Sequence, residues 1–208
     1  MSLEEIKGNY DAIFSLGDLC LASMQLKKSN LRSFSGVLDW MASPALKDVN
    51  RLLDNRFAGY MDRQNLRIIG YATDKYICVA DEHYNMVSNH DFEATKNTIY
   101  SLNGYQEVRE KFDRRINRFL DKAANSKRIL FVRTEGSFED TLELHSVLSG
   151  LVKNEFRILI VNHTNVTQMV VKDWPIEGVT VVDLPDKEKW SENDHYWESI
   201  LEGVQIRE

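Results

Sequence analysis

Three continuous apolar runs in the last third of the chain constrain its fold more than any other feature. They cover residues 128–133, 156–162 and 179–184, and each has the length of one β-strand. A strand with one face in water alternates apolar and polar residues, whereas an unbroken apolar run is typical of a strand covered on both faces. The runs therefore predict neighbouring strands at the centre of a sheet.

Helical patterns alternate with these strands. Ser137 and Asp140 match a capping box that would open a helix over residues 137–151, and residues 190–201 predict a closing helix. Strand–helix–strand alternation favours parallel pairing with helices packed on the sheet. The sequence thus predicts an α/β fold: a three-layer, Rossmann-like, mostly parallel sheet with helices on both faces.

The first two thirds of the chain supply further elements and one irregular stretch. Residues 105–123 carry apolar side chains on a single helical stripe, which makes this the clearest helix of the sequence. The other predicted elements are a strand over 10–16, a helix over 19–28, a helix from Ser43-Pro44 to about residue 55, and short irregular strands over 66–90. We interpret this last stretch as an insertion over one edge of the sheet.

Composition bounds the class of protein. With 208 residues, of which 43% are hydrophobic, residues 1–208 are expected to form a single α/β domain. The net charge of −6 gives no support for nucleic-acid binding. The sequence contains no apolar signal region and no run long enough to span a bilayer, so we expect a cytoplasmic protein that does not bind membranes.

Cofactor and metal motifs are missing from the sequence. Gly17 stands alone, so neither a dinucleotide fingerprint nor a P-loop is present. No two histidines have metal-ligand spacing, and the two cysteines, Cys20 and Cys78, form no Cys-x-x-Cys pair. We therefore expect no cofactor and no metal. The partner is an unknown small molecule or peptide, and the aromatic residues over 190–197 leave a homodimer open.

Cys20 follows a predicted strand and a glycine turn, at the point where a helix would begin. The N-terminus of a helix offers unpaired N–H groups and partial positive charge, which stabilise a thiolate. A strand–turn–helix junction also lies at the carboxyl edge of a sheet, where open α/β folds bind ligands. A reactive thiol is one interpretation, and a buried structural cysteine is the other.

Polar residues recur just past the ends of the predicted strands. They would meet at one edge of the sheet and could bind a ligand or an oxyanion, with N–H groups near residues 17–19 as an oxyanion hole. The candidates are Gly17, Asp18, Asp39, Trp40, Arg133 and Glu135. Trp40 could stack on a sugar ring, or it could fill the core while Asp39 caps a turn.

A cysteine nucleophile needs a base within hydrogen-bond reach and a group that orients the base. His90 is predicted to lie in a loop before a helix, with Asp91 beside it. His163 follows a buried strand directly, and Asp194-His195 precedes the last helix. The sequence alone leaves these three alternatives open.

Several short motifs resemble a bacterial family of uncharacterised proteins regarded as papain-like cysteine peptidases. The shared positions are Ser15, Leu16, Gly17, Cys20, Asp39, Trp40, His90, Asp91, Phe92, Phe131, Val132, Arg133 and Asp140, with a departure at Leu38, where the family often has Phe. The resemblance implies Cys20 as the nucleophile, His90 as the base and Asp140 as an orienting acid.

The sequence therefore carries two functional hypotheses. The first is a cysteine-dependent hydrolase, either a papain-like peptidase or an acyl hydrolase or transferase, with Cys20 as the nucleophile. The alternative is a non-catalytic protein of bacterial cell-surface metabolism that binds a saccharide or a nucleotide-sugar.

Overall fold

The computed structural model describes residues 2–207. Its helices are α1 (Leu21–Lys28), α2 (Leu46–Asp54), α3 (Tyr105–Asn125), α4 (Phe138–Leu151) and α5 (Asp194–Leu201). Its strands are β1 (Gly8–Tyr10), β2 (Ala12–Ser15), β3 (Met41–Ala42), β4 (Leu66–Thr73), β5 (Tyr76–Asp81), β6 (Met86–Glu93), β7 (Asn97–Thr98), β8 (Ser101–Leu102), β9 (Arg128–Thr134), β10 (Glu155–Thr164), β11 (Val170–Lys172), β12 (Val179–Pro185) and β13 (Val204–Ile206).

The three apolar runs form strands β9, β10 and β12 of a five-stranded sheet. Its strand order is β11-β12-β10-β9-β2, in which β2, β9, β10 and β12 are parallel and β11 is antiparallel. Alternate residues of these strands enter different apolar clusters. Phe131 and Ile160 pack in a cluster with α2, α3 and α4, whereas Val132 and Val161 pack in a cluster with α1 and α5. Burial on both faces explains why the runs lack alternation.

The α/β class is confirmed, but the middle of the chain is more regular than predicted. Residues 66–93 form three strands that, together with β3, make an antiparallel sheet of order β3-β6-β5-β4, so the protein combines parallel and antiparallel sheets. In β4 exposure alternates along the whole strand, because one face packs inward and the other meets solvent. Breaks in the pairing of these strands weakened the period-two pattern in the sequence.

Strand β6 contains a pronounced bulge. Ile77 pairs with Phe92 and Val79 pairs with Ser88, so the single residue Cys78 lies opposite three residues, 89–91. A bulge of this kind re-aims the side chains of the longer strand. His90 is therefore in a strand, and the prediction of a loop before a helix was wrong.

The predicted strand over 10–16 is two strands in two sheets. β1 pairs with β13, and β2 pairs with β9. The break falls at Asp11, whose carboxylate accepts hydrogen bonds from the N–H groups of Lys127 and Arg128 at 2.7 and 2.9 Å. A polar side chain thus ends the first strand and anchors the start of the second against β9. No helix within residues 2–207 combines the length and the apolar character needed to cross a membrane.

An aromatic cluster joins α3 to the five-stranded sheet. The ring of Phe131 lies 5.8 Å from that of Phe14 and 5.9 Å from that of Phe119, measured between centroids. Phe112, Ile116 and Phe119 are buried along α3, which confirms the predicted stripe. The packing of α3 therefore rests on a few large side chains at the centre of the sheet.

We predict that Phe131→Ala lowers the free energy of unfolding by about 3–5 kcal/mol, because it leaves a cavity among rings that cannot close up. Urea denaturation followed by circular dichroism measures this loss. Tyr100→Ala is the matched control, since the side chain of Tyr100 is 89% exposed and should contribute little. Equal losses in the two variants would contradict the packing described above.

Candidate active site

The turn between β2 and α1 is strained and tightly held. Gly17 and Asp18 have positive φ angles of 83° and 78°. A side chain on residue 17 would approach Ser43 Oγ to 2.5 Å, so both the backbone angle and the available space require glycine. The Asp18 N–H donates to Ser43 Oγ at 3.0 Å, the Ser43 N–H donates to the Asp18 carbonyl at 2.7 Å, and Thr134 Oγ1 donates to the Gly17 carbonyl at 3.1 Å.

Arg133 lies beneath this turn and is fully buried. Its guanidinium donates to the Leu16 carbonyl at 2.9 Å, to Ser43 Oγ at 2.9 Å, to the Ser43 carbonyl at 2.7 Å and to the Glu135 carbonyl at 3.2 Å. Burial lowers its pKa to about 10, although the carboxylates of Asp18 and Glu135 favour the charged form. The N–H groups of this side chain donate to protein carbonyls and to a hydroxyl. The donors that the sequence suggested for ligand binding are therefore used within the protein.

Of the four backbone N–H groups from Gly17 to Cys20, two are used by the turn and two donate to no other described residue. The N–H of Gly17 donates to Ser15 Oγ at 3.3 Å, and that of Asp18 is used by Ser43. Within residues 2–207, the N–H groups of Leu19 and Cys20 donate to no other residue. Of the amides predicted to form an oxyanion hole, those of residues 17 and 18 are occupied, and the free pair is shifted by one residue toward the helix.

The Cys20 thiol is half-buried at the N-cap of α1. Burial raises the pKa of this thiol, and its own backbone N–H lowers it only in part. Within the described part of the chain, Cys20 Sγ forms no hydrogen bond with an imidazole. Desolvation therefore favours the neutral thiol, contrary to the stabilised thiolate that the helix N-terminus predicts.

Glu135 and His163 form a hydrogen-bonded pair at the ends of β9 and β10. His163 Nδ1 lies 2.7 Å from Glu135 Oε1, and the His163 backbone N–H donates to Oε2 at 3.2 Å. Burial alone would raise the pKa of Glu135, but the hydrogen bonds from His163 outweigh it and the net pKa is lowered. An ionised carboxylate only accepts, so the proton of a neutral imidazole sits on Nδ1. His163 Nε2 is then an acceptor, and it is buried without a hydrogen-bond partner among residues 2–207.

Two further charged groups lie around this pair. Lys189, in the segment after β12, brings its ammonium to 3.5 Å from Glu135 Oε1. The carboxyl of Asp18 is buried, which raises its pKa, although the positive charge of Arg133 lowers it in part. His163 and Lys189 also act on the pKa of Asp18, so these four side chains share one electrostatic environment.

His90 occupies a different environment, on the bulge of β6. Its exposed ring contacts the edges of Trp40 and Tyr76, with centroids 6.0 and 5.9 Å apart. Asp91 does not orient it, because the Asp91 carboxylate accepts from Ser88 Oγ and pairs with Lys111, both at 2.7 Å. His90 is therefore held by aromatic rings rather than by a carboxylate.

The remaining predicted residues have contacts of their own. Asp39 is buried and accepts from Arg32 Nε at 2.7 Å and from the Gly36 N–H at 2.8 Å, which closes the loop before β3. Asp140 lies in the first turn of α4, where its N–H donates to Ser137 Oγ and its charge acts on Arg133.

Asp194 and His195 do not form the expected base pair. Asp194 accepts from Gln25 Nε2 at 2.7 Å and pairs with Lys28 at 2.8 Å, and these contacts with α1 lower its pKa. The exposed ring of His195 lies against that of Tyr196. The Asp194 carboxylate thus ties α5 to α1 and leaves His195 without an orienting hydrogen bond in residues 2–207.

Sequence reasoning gave Ser43 the wrong role. The Ser43-Pro44 pair predicts a helix cap, but α2 begins at Leu46 with Ala45 at its N-cap. Ser43 instead bridges the turn at residues 17–18 to Arg133. No sequence signal distinguishes these roles, since a serine before proline fits both.

The comparison with known families identifies the group to which this geometry belongs. Residues 11–166 match the family described as "Putative papain-like cysteine peptidase (DUF1796)". The chain belongs to this family. It is also 26% identical, over 168 residues, to "Uncharacterized protein R408" of Acanthamoeba polyphaga mimivirus; the match covers 71% of this chain and 75% of that protein. No solved structure matches the chain at a significant level.

We predict that iodoacetamide alkylates Cys20 with a pH midpoint above that of a free thiol, about 8.5. A raised pKa means a smaller thiolate fraction at neutral pH, so the rate is low at pH 7 and climbs as pH rises through the pKa. Mass spectrometry of the native Cys78→Ser variant reports Cys20 alone. A midpoint below that of a free thiol would contradict the effect of burial.

Proposed function

We propose that the chain is a cysteine-dependent hydrolase in which Cys20 accepts the acyl group of the substrate and His163 is the base. The family supports a cysteine hydrolase at this coarse level. One observation carries the choice of base: His163 is held by a carboxylate at Nδ1 while its buried Nε2 has no partner. A base oriented by a third group is what an uncharged cysteine nucleophile needs.

The positions of Cys20 and His163 along the sheet support this pairing. β2, β9 and β10 are parallel neighbours, so their carboxyl ends lie at one edge. Val161 belongs to the same apolar cluster as the α1 residues Ala22 and Leu26. His163 follows Val161 by two residues, so it extends from the sheet face on which α1 begins.

The proposed reaction uses an uncharged resting pair. The Cys20 proton moves to His163 Nε2 as sulfur attacks the carbonyl carbon, and the C=O electron pair moves onto oxygen. The free N–H groups of Leu19 and Cys20 donate to that oxyanion. The imidazolium then protonates the leaving group, which departs as the carbonyl re-forms. Water, deprotonated by His163, attacks the acyl-enzyme, and the departing sulfur recovers the proton.

The fold is part of this proposal. A Rossmann-like, three-layer arrangement implies a ligand edge at the carboxyl ends of the parallel strands, which is the edge that carries Cys20 and the Glu135–His163 pair. Its support is that neighbouring residues of β9 and β10 enter separate apolar clusters, each of which contains helices.

We predict that Cys20→Ser and His163→Gln each slow the burst of p-nitrophenolate from p-nitrophenyl acetate by at least ~100-fold, the scale of general-base catalysis. Stopped-flow absorbance measures the burst, which reports acylation. Cys78→Ser is the control and should keep the wild-type rate, because Cys78 donates to Asn89 in the antiparallel sheet.

His90→Gln separates the proposed base from the one implied by the family resemblance. A large loss in His90→Gln with none in His163→Gln would replace His163 by the Cys20, His90 and Asp140 set. If the wild type shows no burst that depends on Cys20, the proposed hydrolase is wrong.

The second candidate function is non-catalytic binding of a saccharide or nucleotide-sugar. It is favoured by the rings of Trp40 and Tyr76 on either side of the exposed His90. Thermal stabilisation by such ligands that survives Cys20→Ala, together with an absent burst, would establish this function instead.

A further inference from the structure

We propose that Arg133 is a positioning residue, which aims the N–H groups of Leu19 and Cys20 at the reacting carbonyl by holding Leu16 and Ser43. It acts without touching the substrate. This inference rests on the proposed hydrolase, because it concerns the oxyanion formed in that reaction.

The hydrogen bonds of Arg133 exclude a direct role in binding. The side chain is fully buried, and four of its N–H groups donate to the protein. Two contacts go to Ser43, and one goes to the carbonyl of Leu16 at the start of the turn. An Arg can hold both at once because its guanidinium is a rigid planar fork.

The turn needs such support because its backbone is strained. Asp18 has a φ of 78°, in the left-handed region that non-glycine residues adopt uncommonly and at a cost in backbone energy. The backbone N–H and carbonyl of Asp18 both bind Ser43, and Ser43 binds Arg133. Arg133 is thus the buried anchor of the chain of contacts that fixes the residue before Leu19.

The arrangement also explains why a charge is buried here. In residues 2–207, no carboxylate oxygen lies within 4.0 Å of the Arg133 guanidinium, and burying a charge without such a pair is costly. A neutral side chain would fill the space, but it could not bind the Leu16 carbonyl and both Ser43 oxygens. The positive charge also lies beside the turn, where Arg133 Nη1 would be 3.5 Å from a Cβ on residue 17. A positive charge at this position favours a developing oxyanion.

Two reactions of Cys20 test this inference, because only one forms an oxyanion. Acylation by p-nitrophenyl acetate passes through a tetrahedral oxyanion, whereas alkylation by iodoacetamide displaces iodide from a saturated carbon. We predict that Arg133→Lys slows the acylation burst by ~100-fold, the scale of a lost oxyanion donor, while KM and the alkylation rate stay near wild type.

Ser43→Ala should slow the acylation burst by a smaller factor and should also leave the alkylation rate near wild type. This variant replaces Arg133→Lys in the test if circular dichroism shows that Arg133→Lys does not fold. Arg128→Lys is the matched control. Arg128 lies at the opposite end of the same strand, where it contacts Lys7 and Glu155. The burst rate of Arg128→Lys should therefore equal that of the wild type.

The outcomes are distinct. Acylation and alkylation that fall together, or an acylation rate that does not change, would overturn the role of Arg133 and leave the hydrolase intact. A wild-type protein without a Cys20-dependent burst would remove the proposed function, and this inference with it.

Discussion

The hydrogen bonds between Arg133 and Ser43 connect the five-stranded and the four-stranded sheet at the candidate site. Arg133 ends β9 in the parallel sheet, and Ser43 follows β3, which pairs with β6 in the antiparallel sheet. Ser43 also holds the turn that leads to Cys20. The position of the thiol relative to both sheets therefore depends on one buried guanidinium, and a shift of either sheet would alter the Gly17–Asp18 backbone.

The electrostatics of the site favour an uncharged Cys20 thiol and an ionised Glu135 carboxylate beside His163. Burial raises the pKa of Cys20, whereas hydrogen bonds from His163 keep the pKa of Glu135 low. Within residues 2–207, no cation contributes to the pKa of Cys20, so the effect of desolvation is not offset by a positive charge. In the proposed hydrolase, proton transfer would accompany attack on the substrate, and the amides of residues 19 and 20 would matter more than they would for a preformed thiolate.

The sequence predicted the parts of the structure that depend on local patterns. Burial on both faces leaves a continuous apolar run, so β9, β10 and β12 could be found, and the stripe on α3 follows from one apolar face. The bulge at residues 89–91 could not be found, because it depends on pairing with Cys78 in another strand. The role of Ser43 depends on contacts with Asp18 and Arg133 that are distant in the chain.

The same distinction applies to the candidate site. The sequence placed Glu135 and His163 near the edge of the sheet, but only the register of β9 and β10 pairs them. For two other histidines, the adjacent residue in the chain suggested the wrong partner. Asp91 beside His90 and Asp194 beside His195 suggested carboxylate–imidazole pairs. In the structure, Asp91 pairs with Lys111 of α3 and Asp194 pairs with Lys28 of α1.

The chain neighbours Asp39–Trp40 and His90–Asp91 each combine a buried carboxylate with a ring that is half-buried or exposed. Asp39 and Asp91 are both buried, and each neutralises a basic side chain: Arg32 for the first and Lys111 for the second. Their chain neighbours, Trp40 and His90, contact each other at the surface, and Arg32 lies over the Trp40 ring. The buried carboxylates of Asp39 and Asp91 thus fix the backbone that carries the two rings. Strand β3 connects Trp40 to Ser43, so one short segment anchors both the two rings and the turn that leads to Cys20.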